Sequence, residues 1–354
     1  MTFQIVRSQL NGIKMKNIEF LMDSPVFICG HPKSGTTLLL ALLDSHPELV
    51  VYPAETVFFR ALLTRLNNLD YGEKLNLAKR FLLHYFKTPS VIEEQQGLAN
   101  KDEIDCNNFL KMIWEMDKIL PGGKVRHEGD YLGAAILAFG KVHNQLSPNT
   151  RYWVEKTPFN EHFTEHIYRW WPSARCIHVV RDPRDNFATY RRKHPNLTLE
   201  RFCLVWNFSL RKGIANQKKY GRERYLLVKY ENLVAHSEET LQTIVAFLGI
   251  QDVPILREPT KIGIKWTGNS MFKNQFNGIS TAPIGRWRTE LNPAEIRTIQ
   301  TLCRRGMQQL EYSDLSQVSI GALWRLIRFY LLLTWRLPYR IYHTIKKHYE
   351  VIAF

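Results

Sequence analysis

A short loop near the start of the chain has the residue types that bind phosphate groups. Residues 26–47 read VFICGHPKSGTTLLLALLDSHP, in which an apolar strand leads into Gly30 and Gly35 and an apolar helix follows. The glycines allow tight backbone turns, and a helix that starts at Thr36 directs free N–H groups and its positive dipole end at an anion. Three hydroxyl groups supply further donors: those of Ser34, Thr36 and Thr37.

The loop departs from the Walker pattern of nucleotide triphosphatases at one decisive position. That pattern places a lysine after the last glycine to reach the β- and γ-phosphates, and a Ser or Thr beside it to hold Mg²⁺. Here Thr36 occupies the lysine position, and Lys33 lies inside the loop instead. An aspartate to hold Mg²⁺ is also missing at the end of the strand over residues 176–180, where Arg181 follows. The loop therefore suits a 5′-phosphate or a mixed anhydride better than triphosphate hydrolysis.

Four apolar strands are each followed by polar residues, which predicts an α/β fold with a mainly parallel sheet. The predicted strands are Val26–Gly30, Tyr152–Glu155, Cys176–Val180 and Tyr225–Val228. Ligands of open parallel sheets bind outside the carboxyl ends of the strands. We therefore expect four side chains to converge at one edge: those of Lys33, Lys156, Arg181 and Tyr230.

The composition limits the class of protein and its surroundings. The 354 residues are ordinary in apolar and charged content, but the net charge of +15 indicates an anionic partner. Five scattered cysteines without a C-x-x-C motif favour a reducing compartment over a disulfide framework or zinc site. The N-terminal residues lack the apolar core of a signal peptide, and no apolar run approaches the ~20 residues that span a bilayer. We therefore predict a cytoplasmic protein.

The chain is predicted to have three parts: an N-terminal extension (1–23), a main domain (24–315) and a basic tail (316–354). Residues 57–145 read mainly as a helical insertion between strands. A late helix should begin after the N-cap Asn292, with Glu295 completing a capping box, and extend to about Gln309.

Two motifs together resemble the sulfotransferase family. PKSGTT at 32–37 resembles the 5′-phosphosulfate loop of these enzymes, and RDPRDNFATY at 181–190 resembles their 3′-phosphate motif. The resemblance assigns Arg181 and Thr189, eight positions apart, to the 3′-phosphate; threonine replaces the usual serine and keeps the hydroxyl. It implies a three-layer P-loop-like fold and the donor 3′-phosphoadenosine-5′-phosphosulfate (PAPS), with adenosine 3′,5′-bisphosphate (PAP) as product.

Weaker similarities extend over residues 24–311 and are nearest the tyrosylprotein branch of the family. PELVVYPAETVFF at 47–59 resembles the segment with the glutamate base, and EKTP at 155–158 resembles the lysine turn. YENL at 230–233 resembles the tyrosine turn near the adenine, and GISTAPIGRWRTEL at 278–291 resembles the C-terminal cofactor loop. The implied site residues are Glu55 as base, Lys33 and Lys156 as catalytic lysines, Ser280 beside the sulfonate, and Tyr230, Arg286 and Arg288 on the nucleotide.

The sequence also departs from the cytosolic branch of the family. That branch uses a histidine base and an Arg-Lys-Gly triplet, in place of which this chain has Ser280-Thr281-Ala282. No histidine aligns with that base, so His127 is the alternative to Glu55.

The resemblance implies in-line transfer of a sulfonate group to a hydroxyl, or less favourably an amine, without a metal ion. The expected acceptors are a carbohydrate, a glycolipid or another small molecule, and a polyketide or a peptide tyrosine would also fit so broad a family. The alternative enzyme is a P-loop ATP-dependent small-molecule kinase. A non-enzymatic basic protein is a third hypothesis, but no nucleic-acid-binding module is recognisable, so nucleic acid is not expected as a partner.

The tail predicts an amphipathic helix at a membrane surface. Over residues 319–350, at 100° per residue, a basic stripe alternates with apolar and aromatic residues. Its charged members include Arg325, Arg328, Arg336, Arg340, Lys346 and Lys347. A basic stripe together with Trp324 and Trp335 is typical of a helix that lies on a membrane surface with anionic lipids. The alternatives are packing on the main domain and a homodimer contact.

Overall fold

A five-stranded sheet forms the centre of the fold. The computed structural model of the chain describes residues 15–84, 106–120, 125–268, 271–272 and 275–331. The strands are β1 Pro25–Cys29, β2 Leu49–Val51, β3 Tyr152–Lys156, β4 Arg175–Val180 and β5 Tyr225–Lys229. They lie in the order β2-β3-β1-β4-β5, and every pairing is parallel. The predicted α/β fold with a mainly parallel sheet is confirmed.

Helices connect the strands, and a small antiparallel hairpin follows them. The helices up to β4 are α1 Met15–Met22, α2 Thr36–Leu43, α3 Tyr71–Leu82, α4 Cys106–Ile119, α5 Gly129–Val142 and α6 Thr164–Trp170. Those after β4 are α7 Pro183–Lys193, α8 Leu199–Tyr220, α9 Tyr230–Ala235, α10 Ser237–Leu248, α11 Trp287–Glu290, α12 Pro293–Leu302, α13 Arg304–Gln309 and a helix over residues 320–331. Shorter turns are the π-helix Phe58–Leu62 and the 3₁₀ helices Leu63–Arg65, Asn160–Phe163 and Pro254–Arg257. The hairpin consists of β6 Thr260–Lys261 and β7 Ile264–Lys265.

The sheet separates two hydrophobic cores. Successive side chains of a strand point to opposite faces, so β1 contributes Phe27 and Cys29 to one core and Val26 and Ile28 to the other. The first core includes buried residues of α1, α3, α4 and α5, and the second includes those of α2, α9 and α10. Helices therefore cover both faces, and the sheet lies between them as the middle of three layers. This arrangement holds the carboxyl ends of the strands fixed.

The chain divides into two compact units. The first consists of residues 1–181 and 209–284 and contains the whole sheet; the second consists of 182–208 and 285–354. In the second unit, the carboxylate of Asp185 on α7 accepts hydrogen bonds from the backbone N–H groups of Gly285 and Trp287, each at 2.8 Å. The division into 1–23, 24–315 and 316–354 stays a prediction.

The structure differs from the predicted elements at several boundaries. The short strand β2 was not predicted, because three apolar residues do not form a recognisable pattern. Gly30 lies outside β1, and Lys156 is the last residue of β3 instead of following it. The N-cap Asn292 and its capping box with Glu295 are confirmed, but the expected single helix is interrupted at Cys303 into α12 and α13.

The tail is described only in its first part. The helix over 320–331 exposes Arg325 and Arg328, whereas the remaining basic residues of the predicted stripe lie outside the described residues. The searched residues contain no helix with both the length and the apolar character needed to cross a bilayer.

Candidate active site

The loop after β1 adopts a backbone that only glycine fits at two positions. Gly30 has φ 135°, and a Cβ there would lie 2.3 Å from the carbonyl oxygen of Val179. Gly35, with φ 98°, is the N-cap of α2, and a Cβ there would lie 2.3 Å from the ring of Tyr230. The N-cap Gly35 has no side chain to cap α2, whose first residues are Thr36 and Thr37. The first N–H groups of a helix lack partners within the helix, so this loop fits a phosphate group.

A buried carboxylate lies behind this loop. Glu161, which has no solvent exposure, accepts a hydrogen bond from the N–H of Gly30 at 3.0 Å and another from the hydroxyl of Ser209. The N–H of Phe159 donates to the carbonyl of Gly30 at 3.1 Å, so both backbone groups of Gly30 are fixed. Burial raises the pKa of Glu161 to about 7.

Arg181 connects the loop to Tyr230. Its guanidinium donates hydrogen bonds to the carbonyls of Lys33 at 3.2 Å and Pro283 at 2.9 Å. Its Cζ lies 4.5 Å from the centre of the Tyr230 ring, within the range of a cation–π contact. The structure therefore brings the backbone of Lys33 together with the side chains of Arg181 and Tyr230, three of the four residues predicted to converge at this edge.

Glu55 and Lys156 form an ion pair at the ends of two neighbouring strands. Glu55 lies four residues beyond β2, Lys156 ends β3, and the lysine Nζ donates to Glu55 Oε1 at 2.7 Å. The lysine side chain is 5% exposed and the glutamate side chain 46%. The buried cation fixes the orientation of a carboxylate that a bound hydroxyl can reach, which is the geometric requirement for a general base.

A second lysine, Lys261, interacts electrostatically with both Lys156 and Glu55, and the sequence did not single it out. Burial, together with the positive charge of Lys156, lowers the pKa of Lys261, on β6, to about 7. Asp44, at the end of α2, fixes this hairpin by accepting from the Thr260 hydroxyl at 2.8 Å and the Gly263 N–H at 2.9 Å.

Other predicted residues of the first unit make separate contacts. The Ser280 hydroxyl accepts from the N–H of Ala282 at 3.3 Å, and Ser34 is fully buried in the loop. The ring of His127 stacks on Trp170 at 5.3 Å and lies 3.7 Å from the carboxylate of Asp130. Burial lowers the pKa of His127. Within the described part of the chain, the contacts of His127 include neither Glu55 nor Lys156.

The remaining predicted cofactor residues belong to the second unit. The Thr189 hydroxyl donates to the carbonyl of Asp185, one turn earlier on α7, at 2.9 Å. Arg288 pairs with Asp314 at 2.6 Å, and Arg286 immediately precedes α11. Their roles at the cofactor stay predictions from the motifs.

The described residues contain no group of three or more His, Cys, Asp or Glu side chains arranged to hold a metal ion.

Two buried residues that support the site were not singled out from the sequence: they are Glu155 and Glu161. A detectable signal existed for Glu155, because an acidic residue within an otherwise apolar strand must find partners when it is buried.

Comparison with known proteins identifies the family. The model of the sulfotransferase family matches residues 25–254, and the chain belongs to this family. The resemblance of the loop and of the RDPRDNFATY segment is thereby confirmed at the level of the family.

Its relatives include several protein-tyrosine sulfotransferases. Protein-tyrosine sulfotransferase 2 of Gallus gallus is 28% identical over 232 residues, which are 64% of this chain and 51% of the relative. Protein-tyrosine sulfotransferase 1 of Homo sapiens is 26% identical over 252 residues, 69% of this chain and 56% of the relative. The match therefore spans about half the length of these relatives.

Solved structures share the fold. The sulfotransferase domain of the Synechococcus PCC 7002 olefin synthase has a TM-score of 0.51 at 21% identity, covering 82% of this chain and 95% of the domain. The sulfotransferase domain from the curacin biosynthetic pathway has a TM-score of 0.53 at 20% identity, with coverages of 82% and 98%. These similarities support the three-layer architecture.

Proposed function

We propose that this protein transfers a sulfonate group from PAPS to a hydroxyl group of an acceptor. The observation that carries the proposal is the Glu55–Lys156 ion pair, which belongs to the same sheet edge as a phosphate loop without a Walker lysine. Family membership supports PAPS as the donor. The loop is the proposed site of the 5′-phosphate because it leads into the N-terminus of α2, where the N-cap Gly35 supplies no side-chain cap.

The predicted site residues of the first unit have distinct tasks in this proposed reaction. The acceptor oxygen attacks sulfur as the bond from sulfur to the bridging phosphate oxygen breaks, and Glu55 takes the acceptor proton. Lys33 and Lys156 stabilise the negative charge that grows on the leaving bridging oxygen, and Ser280 donates a hydrogen bond. Ser34, Gly35, Thr36 and Thr37 bind the 5′-phosphate, and Tyr230 lies by the adenine. The lysines supply the positive charge that a metal ion supplies in phosphoryl transfer.

The 3′-phosphate is assigned to the RDPRDNFATY segment. Arg181 and Thr189 would bind its oxygens, and Arg286 and Arg288 would cover the nucleotide. This assignment is supported by the motif and its spacing.

Donor binding can be tested without knowing the acceptor. Calorimetry with PAP should show binding to the wild type and a loss of about 10- to 100-fold in Lys33→Ala and Arg181→Ala, since each removes a charged contact to a phosphate. Arg222→Ala, an exposed arginine outside the motifs, is the control. Absence of PAP binding, or unchanged binding in both variants, would sink the proposal. Mg²⁺-dependent ATP turnover that survives Arg181→Ala would favour the kinase instead.

A tyrosine side chain of a protein is the first acceptor to test. The similar proteins are named for tyrosine. The segments that contain Glu55 and Lys156 resemble those of the tyrosylprotein branch. The experiment incubates the protein with ³⁵S-labelled PAPS and, in parallel, tyrosine peptides, oligosaccharides and a glycolipid extract. Label in the peptides alone supports tyrosine as acceptor; label in sugars or lipids alone supports the acceptors predicted from the sequence.

The exposed face of the helix over 320–331 supports an anionic membrane surface as a partner. Large apolar side chains remain exposed there: Ile320, Leu323, Trp324, Ile327 and Leu331. Arg325 and Arg328 are exposed between them, which complements anionic headgroups.

Vesicle sedimentation tests this membrane proposal. Binding to phosphatidylserine-containing vesicles should exceed binding to pure phosphatidylcholine and fall about 30-fold in Arg325→Ser/Arg328→Ser, at about 1 kcal/mol for each of the two charges. Arg222→Ser/Arg305→Ser removes the same charge from other exposed sites as a control. Lipid-independent self-association in sedimentation velocity would favour the homodimer instead.

A reducing compartment, with the protein peripheral at the membrane, is the proposed location. It is supported by the buried free thiols of Cys29, Cys176, Cys203 and Cys303. Fractionation of cells that express the chain would test it.

A further inference from the structure

One buried carboxylate contacts both segments that carry the proposed catalytic pair. Glu155 immediately precedes Lys156 on β3, and it is 1% exposed. Its Oε1 accepts from Thr56 Oγ1 at 2.7 Å, Thr56 N at 3.4 Å and Thr157 Oγ1 at 2.5 Å, and its Oε2 accepts from Asn160 Nδ2 at 2.6 Å. All four donors are neutral groups. Burial raises the pKa of Glu155, and the hydrogen bonds offset part of this effect.

The direction of these hydrogen bonds is fixed by the backbone. Thr56 Oγ1 accepts from the N–H of Phe58 at 3.4 Å, and Thr157 Oγ1 accepts from the N–H of Val57 at 3.2 Å. Each hydroxyl has a single proton, which is then available for Glu155. A carboxylate, which only accepts, suits this cluster of donors.

The cluster surrounds a strained position. Val57 has φ 49°, a conformation that a β-branched residue rarely adopts. Such a conformation persists only where the surrounding contacts determine it. Here the preceding residue, Thr56, is bonded to Glu155, and Val57 itself is bonded to Thr157. The strained turn directly follows Glu55, so the same contacts determine where the Glu55 carboxylate lies.

We propose that Glu155 is a positioning residue that connects the Glu55 turn to the end of β3 and thereby sets the Glu55–Lys156 contact. This inference rests on the proposed function, because it takes Glu55 and Lys156 as the catalytic pair. Without the connection, Val57 relaxes, Glu55 moves away from the 2.7 Å contact, and proton transfer slows while the phosphate loop is unaffected.

The test breaks the connection at Thr56, because Glu155→Ala would also leave a cavity beside the sheet. Thr56→Val keeps the shape and removes the hydroxyl, whereas Thr56→Ser keeps the hydroxyl and removes the methyl. Thr164→Val is the matched control, since buried Thr164 donates one hydrogen bond, to Asn216 at 3.0 Å, outside this cluster.

Two readouts are needed. In Thr56→Val, kcat should fall about 10- to 100-fold, the cost of misplacing a reacting group by about 1 Å, while PAP affinity stays at the wild-type value. Thr56→Ser should restore kcat, and Thr164→Val should retain it. Hydrogen exchange should become faster in a peptide over residues 52–62 of Thr56→Val and stay unchanged in one over residues 28–40.

The outcomes separate this inference from the proposed function. Wild-type kcat and exchange in Thr56→Val would overturn the inference, and so would an equal loss of kcat in Thr164→Val. Absence of transfer by the wild type would instead count against the proposed function. The exchange data would still decide whether Glu155 holds the Glu55 turn, and unchanged exchange over 52–62 would reject it.

Discussion

The phosphate loop is shaped by its backbone, whereas the Glu55–Lys156 contact is held by side chains. In the loop, Gly30 and Gly35 adopt conformations with positive φ, and the anion would meet N–H groups of α2. Beside Glu55, by contrast, the residue with positive φ is the β-branched Val57. Its turn is held by hydrogen bonds from Val57 N–H to the Thr157 hydroxyl and from the Thr56 hydroxyl to the Glu155 carboxylate. In both regions a buried glutamate lies behind the site, Glu161 for the loop and Glu155 for the ion pair.

This difference separates two functions that can fail independently. In the proposed reaction, backbone groups of the loop would bind the 5′-phosphate both before and after transfer, so changes in the loop should alter donor affinity. The ion pair would act on a proton that moves only during the reaction, so changes there should alter kcat.

The largest expected effect comes from Glu55→Gln. Removal of the proposed base should lower kcat by about 10²- to 10⁴-fold, because the amide cannot take the acceptor proton. PAP affinity, measured by calorimetry, should not change. Glu165→Gln is a matched control, because Glu165 also pairs with a lysine, Lys219, at 3.3 Å. Full activity of Glu55→Gln would return His127 to consideration as the base.

A smaller effect is expected for Glu161→Gln, and it depends on pH. Because burial raises the pKa of Glu161 from 4.5 to about 7, the native carboxyl binds its proton more tightly than the unfolded chain does. The wild-type free energy of unfolding should therefore fall as pH rises from about 4.5 to 7, by up to about 3 kcal/mol relative to Glu161→Gln.

Urea denaturation of both proteins at pH 5 and pH 8 measures this difference. If the free energies of unfolding of the wild type and Glu161→Gln change with pH in the same way, the raised pKa of Glu161 would be refuted. PAP affinity, rather than kcat, should respond to Glu161→Gln, in contrast to the variants at Thr56.

The smallest expected effect is that of Tyr230→Leu. Loss of the ring below Arg181 should weaken PAP binding by about tenfold or less, as expected for a cation–π contact, and leave kcat unchanged. Tyr230→Phe keeps the ring and should bind PAP as the wild type does. A loss of kcat without a loss of affinity would contradict the separation of the two regions.

The regions whose expected chemistry depends on the backbone could be predicted from the sequence alone. Glycine spacing, an apolar strand and an apolar helix are local patterns, so the phosphate loop, the parallel sheet and the Asn292 cap were predictable. The family followed from the loop and the RDPRDNFATY segment.

The contacts that hold the proposed base were not predictable in the same way. Thr56 and Glu155 are 99 residues apart in the chain, and their hydrogen bond depends on β2 and β3 being neighbours in the sheet. The short strand β2 has too few residues to reveal that pairing. Gly30 and Glu161 are separated by 131 residues, and their contact likewise needs the folded sheet.

The unequal exposure of the ion pair has a consequence for the end of the catalytic cycle. In the proposed reaction, a proton taken up by Glu55 would lie on a side chain that is 46% exposed, whereas its partner Lys156 is 5% exposed. The proton could then pass from Glu55 directly to bulk water or buffer. The enzyme would then be ready for the next acceptor as soon as the sulfated product and PAP have left, and resetting the base would not limit turnover.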